Sequence, residues 1–193
     1  MKILIVYGTT EGQTRKIAEF LRAETVKSGH TVSLADSTEG PPSPLEYDAV
    51  LVGGSMHMQK YQASIKDYVQ KHKRSLNQMH SAFFSVSLSA ASDEEESWKE
   101  LKEITEDFLE KTGWKPSMVE YVAGALLYTE YDFMKKFIMR LIAKRADHNT
   151  DTNHDTEYTD WNKLKTFLHQ FIDSWVPVAQ AVQKVESDTE AIG

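Results

Sequence analysis

The chain reads as one α/β domain built on a doubly wound, five-stranded parallel sheet with helices on both faces. Three observations predict this. Short apolar, β-rich runs alternate with segments whose apolar residues fall at helical spacing, the pattern of repeated βαβ units. One run, Tyr47 to Gly53, is almost wholly apolar, as a central parallel strand buried on both faces must be. With 193 residues, 40% of them hydrophobic, there is material for one compact domain with a sizeable core.

The elements follow in order. Lys2 to Tyr7 is a continuous apolar run, so the first strand. After a Gly/Thr turn, Ile17, Ala18 and Leu21 lie at helical spacing until Ser28-Gly29 ends the helix. Thr31 to Ala35 makes the second strand, a Pro-rich turn follows, and Tyr47 to Gly53 is the third. Ile65, Tyr68, Val69, His72 and Leu76 mark one face of the next helix, and Ala82 to Val86 is the fourth strand. Trp98, Leu101, Thr105, Phe108 and Leu109 form an amphipathic helix stopped by Gly113, with Ser92 and Glu95 at capping-box spacing before it. Val119 to Ala125 supplies the fifth strand. Trp161, Leu164, Leu168, Phe171, Ile172 and Trp175 form the closing helix, capped by Thr159 or Asp160. Trp98 and Trp161 fall on apolar stripes and are expected in the core. The domain spans residues 1–176, and 177–193 form a polar tail expected to fray.

Composition excludes several classes of function. There are no cysteines, so disulfides, thiolate metal sites and thiol redox chemistry are excluded, and any electron transfer needs a bound cofactor. A formal charge of −7 argues against nucleic acid as the main partner. The chain opens directly in an apolar strand, without a charged leader or an apolar run near the roughly 18 residues of a membrane span. It is therefore expected to be neither secreted nor membrane-spanning.

The loop after the first strand, Gly8-Thr9-Thr10-Glu11-Gly12-Gln13-Thr14, leads directly into a helix. Free backbone N–H groups and the positive helix end then face whatever occupies the loop, which makes it an anion site. The threonine hydroxyls add donors, and Gly12 permits close approach of the backbone. The loop has no Lys of the GxxxxGK[ST] pattern and no GxGxxG, so a monophosphate fits better than a triphosphate or a dinucleotide. The competing reading is an ordinary polar turn with capping threonines.

Thr9 to Thr14 carry the pattern [ST]-x-x-G-x-T, and the loop resembles the phosphate loop of flavodoxins. It departs from many of them at Glu11, which is expected to point outward and offer only its backbone N–H. The resemblance implies flavin mononucleotide (FMN) as cofactor and strand order 2-1-3-4-5. It also implies two ring-binding loops: Ser55, Met56, His57, Met58 and Tyr61 after the third strand, and Ser87, Leu88, Ser89, Ala90 and Ala91 after the fourth. Met56, Met58 and Tyr61 are candidates to pack on the flavin ring. His57 either bonds the ring or substrate, or faces solvent.

Within that family, EGQTRKIA, HSAFFSVSLSA, VAGALLY, Thr150-Asp151-Thr152 and Tyr158 to Trp161 resemble the menaquinone-dependent protoporphyrinogen oxidase branch. This implies oxidation of protoporphyrinogen IX to protoporphyrin IX in haem synthesis, in three two-electron cycles, with menaquinone or another quinone as acceptor. The chemistry would be flavin-centred, with no side-chain catalyst. An electron-carrying flavodoxin without porphyrinogen turnover, and a binding module that has lost flavin, are the alternatives.

An insertion at about residues 129–157 separates the fifth strand from the last helix. If helical, residues 133–145 present a broad apolar face together with Lys135, Lys136, Arg140, Lys144 and Arg145. Lys136, Arg140 and Lys144 are the candidate contacts to substrate carboxylates or to an anionic membrane surface, which would make the protein cytoplasmic and peripheral on the inner face of the membrane. Packing on the domain or on a second subunit, in a homo-oligomer, is the plainer reading. Asp147, Asn149 and Asp151 have calcium-loop spacing, but Thr152 and Tyr158 stand where the loop needs Gly and Glu, so no metal is expected.

Overall fold

The computed structural model describes residues 1–126 and 156–176. In chain order the elements are β1 (Lys2–Gly8), α1 (Gln13–Lys27), β2 (Thr31–Asp36), β3 (Ala49–His57), β4 (Lys60–Tyr61), α2 (Ala63–Gln78) and β5 (His80–Ser87). They continue with α3 (Glu95–Thr112), β6 (Met118–Ala123), β7 (Ala125–Leu126), β8 (Thr156–Glu157) and α4 (Trp161–Asp173). The strands lie in the order β2-β1-β3-β5-β6, every neighbour parallel, so the five-stranded sheet has the expected winding.

Alternation along each central strand builds two cores. Ile3, Ile5 and Tyr7 of β1 face one side with Leu51 and Phe84, where Ile17 and Leu21 of α1 and Leu164, Phe167 and Phe171 of α4 cover them. Leu4 and Val6 face the other side with Val50, Val52 and Phe83, under Ile65 and Val69 of α2 and Phe108 of α3. The crossover from β1 to β2 runs to one side and the return to β3 to the other. The winding therefore reverses between β1 and β3, and a crevice opens at their carboxyl ends.

Several expectations are corrected. The third strand begins at Ala49 and runs on to His57, past its predicted end at Gly53, because β4 folds back antiparallel and pairs Met56 with Tyr61 and His57 with Lys60. The expected loop is a hairpin, turned by Met58 and Gln59 at φ 48° and 62°. The fifth strand stops at Ala123, and after Gly124 the chain joins a separate ribbon in which β7 pairs antiparallel with β8. Ser92 does not form a capping box. Its Oγ accepts from the N–H of Glu94, a local turn that competes with the cap. Trp98 is half-buried outside both cores, its indole N–H donating to the Ser92 carbonyl at 2.8 Å. Trp161 packs at the edge of a core, against Phe20 at 4.9 Å. Asp160 caps α4, accepting from the N–H groups of Asn162 and Lys163 at 3.0 Å.

Lys136, Arg140 and Lys144, the calcium-like triad and the C-terminal tail lie outside the described residues. Among the described residues, no helix is long and apolar enough to cross a membrane, and no group of side chains could hold a metal ion.

Candidate flavin site

A cavity of about 270 Å³ opens at the carboxyl ends of β1, β3 and β5. Its floor at one end is the loop between β1 and α1. Gly12 sits at φ 91°, a left-handed backbone that glycine adopts freely, and its N–H donates to Thr9 Oγ1 at 2.9 Å. This bond fixes the loop, and Gly12 serves the turn rather than the lining. The chain then enters α1, whose first N–H groups have no acceptor within the helix. Thr9, Thr10, Glu11, Gln13 and Thr14 all line the cavity, with Glu11 exposed at the crest.

The Thr14 hydroxyl is the most telling group. Thr14 is fully buried, yet its Oγ1 has no hydrogen-bond partner among the described residues. A buried hydroxyl left unpaired is costly, and here it lies beside the positive end of a helix. An anion seated in the loop would satisfy both. The residues present therefore fit a phosphate held by neutral donors.

The rest of the cavity suits a flat apolar body. Ser55, Met56, His57, Met58 and Gln59 line it from the β3–β4 hairpin, and Val86, Ser87, Leu88 and Ser89 from the end of β5. Leu101 and Ile104 of α3 and Gly124-Ala125 after β6 complete the wall. The hairpin is anchored at both ends. Gln62 Nε2 donates to Thr10 Oγ1 at 3.0 Å and also to Ser55 Oγ, tying it to the phosphate loop. At the tip, Gln59 Nε2 donates to Glu100 on α3.

Three expected site residues stand elsewhere. Tyr61 does not line the cavity; its ring packs on Phe83 and Phe108 at 5.1 and 4.8 Å. The ring takes the room left by Gly54, where a Cβ would come within 3.0 Å of it. Ala90 and Ala91 line a different cleft, beside Tyr121 and Lys163. The tight turn over Ser89–Ala91 carries them there, with the Ala90 N–H spent on Ser87 Oγ and the Ala91 N–H on the Leu88 carbonyl. The cavity residues that the sequence did not single out are Gln59, inside the expected ring loop, and Glu100, Ile104, Gly124 and Ala125. In the sequence Leu101 shows only as part of an apolar helical stripe and Val86 only as the end of a strand.

Comparison with known proteins bears on the family and the fold. The Flavodoxin domain family matches residues 4–153. Protoporphyrinogen IX dehydrogenase (quinone) of Escherichia coli strain K12 is 34% identical over 171 residues, covering 88% of this chain and 94% of that protein. The protein of the same name from Leishmania major is 32% identical over 182 residues, covering 88% of this chain and 74% of that protein. Among solved structures, oxidised Flavodoxin 1 from Bacillus cereus superposes with a TM-score of 0.56 at 15% identity, over 91% of this chain and 100% of that one. At that identity the likeness is one of fold. Sheet order, loop and matched sequence agree: the chain belongs to the flavodoxin family, alongside the protoporphyrinogen IX dehydrogenases that it resembles.

Proposed function

We propose that this protein is an FMN-dependent oxidoreductase that oxidises protoporphyrinogen IX to protoporphyrin IX and passes the electrons to a quinone. The observation that carries this is the cavity itself. A buried Thr14 hydroxyl, unpartnered among the described residues, stands at a helix N-terminus beside an apolar slot, in a chain 34% identical to a named dehydrogenase along 94% of that protein's length.

Bound there, FMN supplies the two-electron redox chemistry, since the chain has no cysteine and no redox side chain of its own. Thr14 Oγ1 and the first N–H groups of α1 hold the phosphate. Met56, Leu101 and Ile104 cover apolar surface and exclude water from the ring. The Ser87–Ser89 turn brings backbone to the same cavity and is our assignment for orienting the ring's polar edge. Lys136, Arg140 and Lys144 are assigned to the carboxylates of the substrate or to an anionic membrane surface.

The test is anaerobic. Flavin-loaded protein, protoporphyrinogen IX and a menaquinone analogue in detergent are followed by porphyrin fluorescence against a no-protein control. Turnover that requires both flavin and quinone is expected. Flavin binding with no turnover would overturn the oxidase reading in favour of an electron carrier.

A further inference from the structure

Two segments distant in sequence meet beside the cavity. Gln13 Nε2 donates to Glu157 Oε1 and to Thr159 Oγ1, each at 2.9 Å. Lys16 Nζ meets the other carboxylate oxygen, Glu157 Oε2, at 2.7 Å. Burial raises the affinity of the Glu157 carboxyl for its proton, but the bonds from Lys16 and Gln13 outweigh it, so the group sits below the usual carboxylate range. Beyond Glu157, the Tyr158 N–H donates to the Gly124 carbonyl at 3.1 Å and the Thr159 hydroxyl to the Ala123 carbonyl at 2.7 Å. Gly124 itself donates to the Ser87 carbonyl at 3.0 Å. A continuous chain of hydrogen bonds thus runs from the first turn of α1, where Thr14 lies, to the wall at the end of β6.

We propose that Glu157 is a positioning residue that holds the phosphate-binding turn of α1 in register with the Gly124-Ala125 wall, coupling what binds at one to what binds at the other. This rests on the FMN reading above. Arg15, the other cation of the first turn of α1, pairs with Glu19 at 3.0 Å, and this role of Glu157 also accounts for Lys16. Its ammonium is committed to Glu157 and lies 5.5 Å above the Trp161 ring, leaving the anion to neutral donors. As a plain surface ion pair the contact would count for little, because the Lys16 side chain is 57% exposed. The variants are therefore compared in ligand binding as well as in stability.

Apo-protein is titrated with FMN and with riboflavin, which lacks the phosphate, following flavin fluorescence. Wild type is compared with Glu157→Ala, Glu157→Gln and Lys16→Met, and circular dichroism melts check that each variant folds. Glu157→Ala is expected to weaken FMN about fivefold and to leave riboflavin roughly unchanged. It should also raise the KM for the porphyrinogen more than it lowers kcat. Glu157→Gln keeps an acceptor for Gln13 and should recover part of the FMN loss, and Lys16→Met should fall between Glu157→Gln and wild type. Unchanged FMN affinity in Glu157→Ala, or equal losses for both flavins, would overturn the proposal. Wild-type protein that binds neither flavin would instead bring down the cofactor reading, so the two failures are distinct.

Discussion

The hydroxyl of Tyr61 lies 2.8 Å from Thr105 Oγ1, joining the β3–β4 hairpin to α3 beneath the cavity. Thr105 already spends its own proton on the Leu101 carbonyl at 2.8 Å, so Tyr61 donates to Thr105 and accepts from Ser85 Oγ at 2.7 Å. Burial pushes the phenol up to about 12, against the opposing pull of these two bonds, and it stays protonated throughout the physiological range. Tyr61→Phe should therefore cost about 1–2 kcal/mol of stability, read from urea melts, with FMN affinity nearly unchanged. A large loss of FMN affinity at unchanged stability would return Tyr61 to the flavin.

That bond also shows where sequence reading stops. The parallel strands were legible because their signal is local: Ile3 to Val6 and Ala49 to Val52 are apolar on both faces, and each helix announces its buried stripe. The phosphate loop was legible for the same reason, its donors being contiguous from Thr9 to Thr14. The hairpin was not, because Met58 and Gln59 take positive φ without the Gly or Asn that marks such a turn. Without that turn, nothing local places Tyr61 opposite Met56. The link from Gln13 to Glu157 spans 144 positions and carries no periodicity at all. It exists only because the β7–β8 ribbon that follows β6 brings Glu157 beside α1.

Thr14→Val keeps the shape of the side chain and deletes its hydroxyl. FMN affinity should fall about tenfold, with riboflavin little affected, since the hydroxyl's assigned partner is the phosphate. Without flavin the variant should melt no lower than wild type, because Thr14 Oγ1 has no hydrogen-bond partner among the described residues to lose. A lower melting temperature in the apo-protein would mean that Thr14 serves the fold instead.

Gly53 pairs with Phe84 in the sheet, and a Cβ at Gly53 would run into the Phe84 ring. Phe84 is fully buried and has no free space to retreat into. Gly53→Ala should cost about 1–3 kcal/mol through overpacking. Adding Phe84→Leu should recover part of the loss, as two residues in contact couple in a double-mutant cycle. Simple addition of the two costs would show that the strain is relieved elsewhere.

His80 opens β5 with its Nε2 2.7 Å from the Phe171 carbonyl and its ring stacked on Phe171 at 4.2 Å. Burial lowers its pKa below the ordinary 6.5, partly opposed by that backbone bond, so the folded protein holds the neutral ring with Nε2–H as donor. The unfolded chain takes up the proton first as pH falls. The contribution of His80 is thus complete above about 6.5 and drains away as pH falls toward the folded-state pKa, below which both states are charged and the loss is complete. Urea melts between pH 7.5 and 5 should show wild type losing stability on the acid side, and His80→Gln, which does not titrate there, should show a shallower slope. Parallel slopes for the two proteins would assign the acid sensitivity to other groups and leave His80 a packing residue alone.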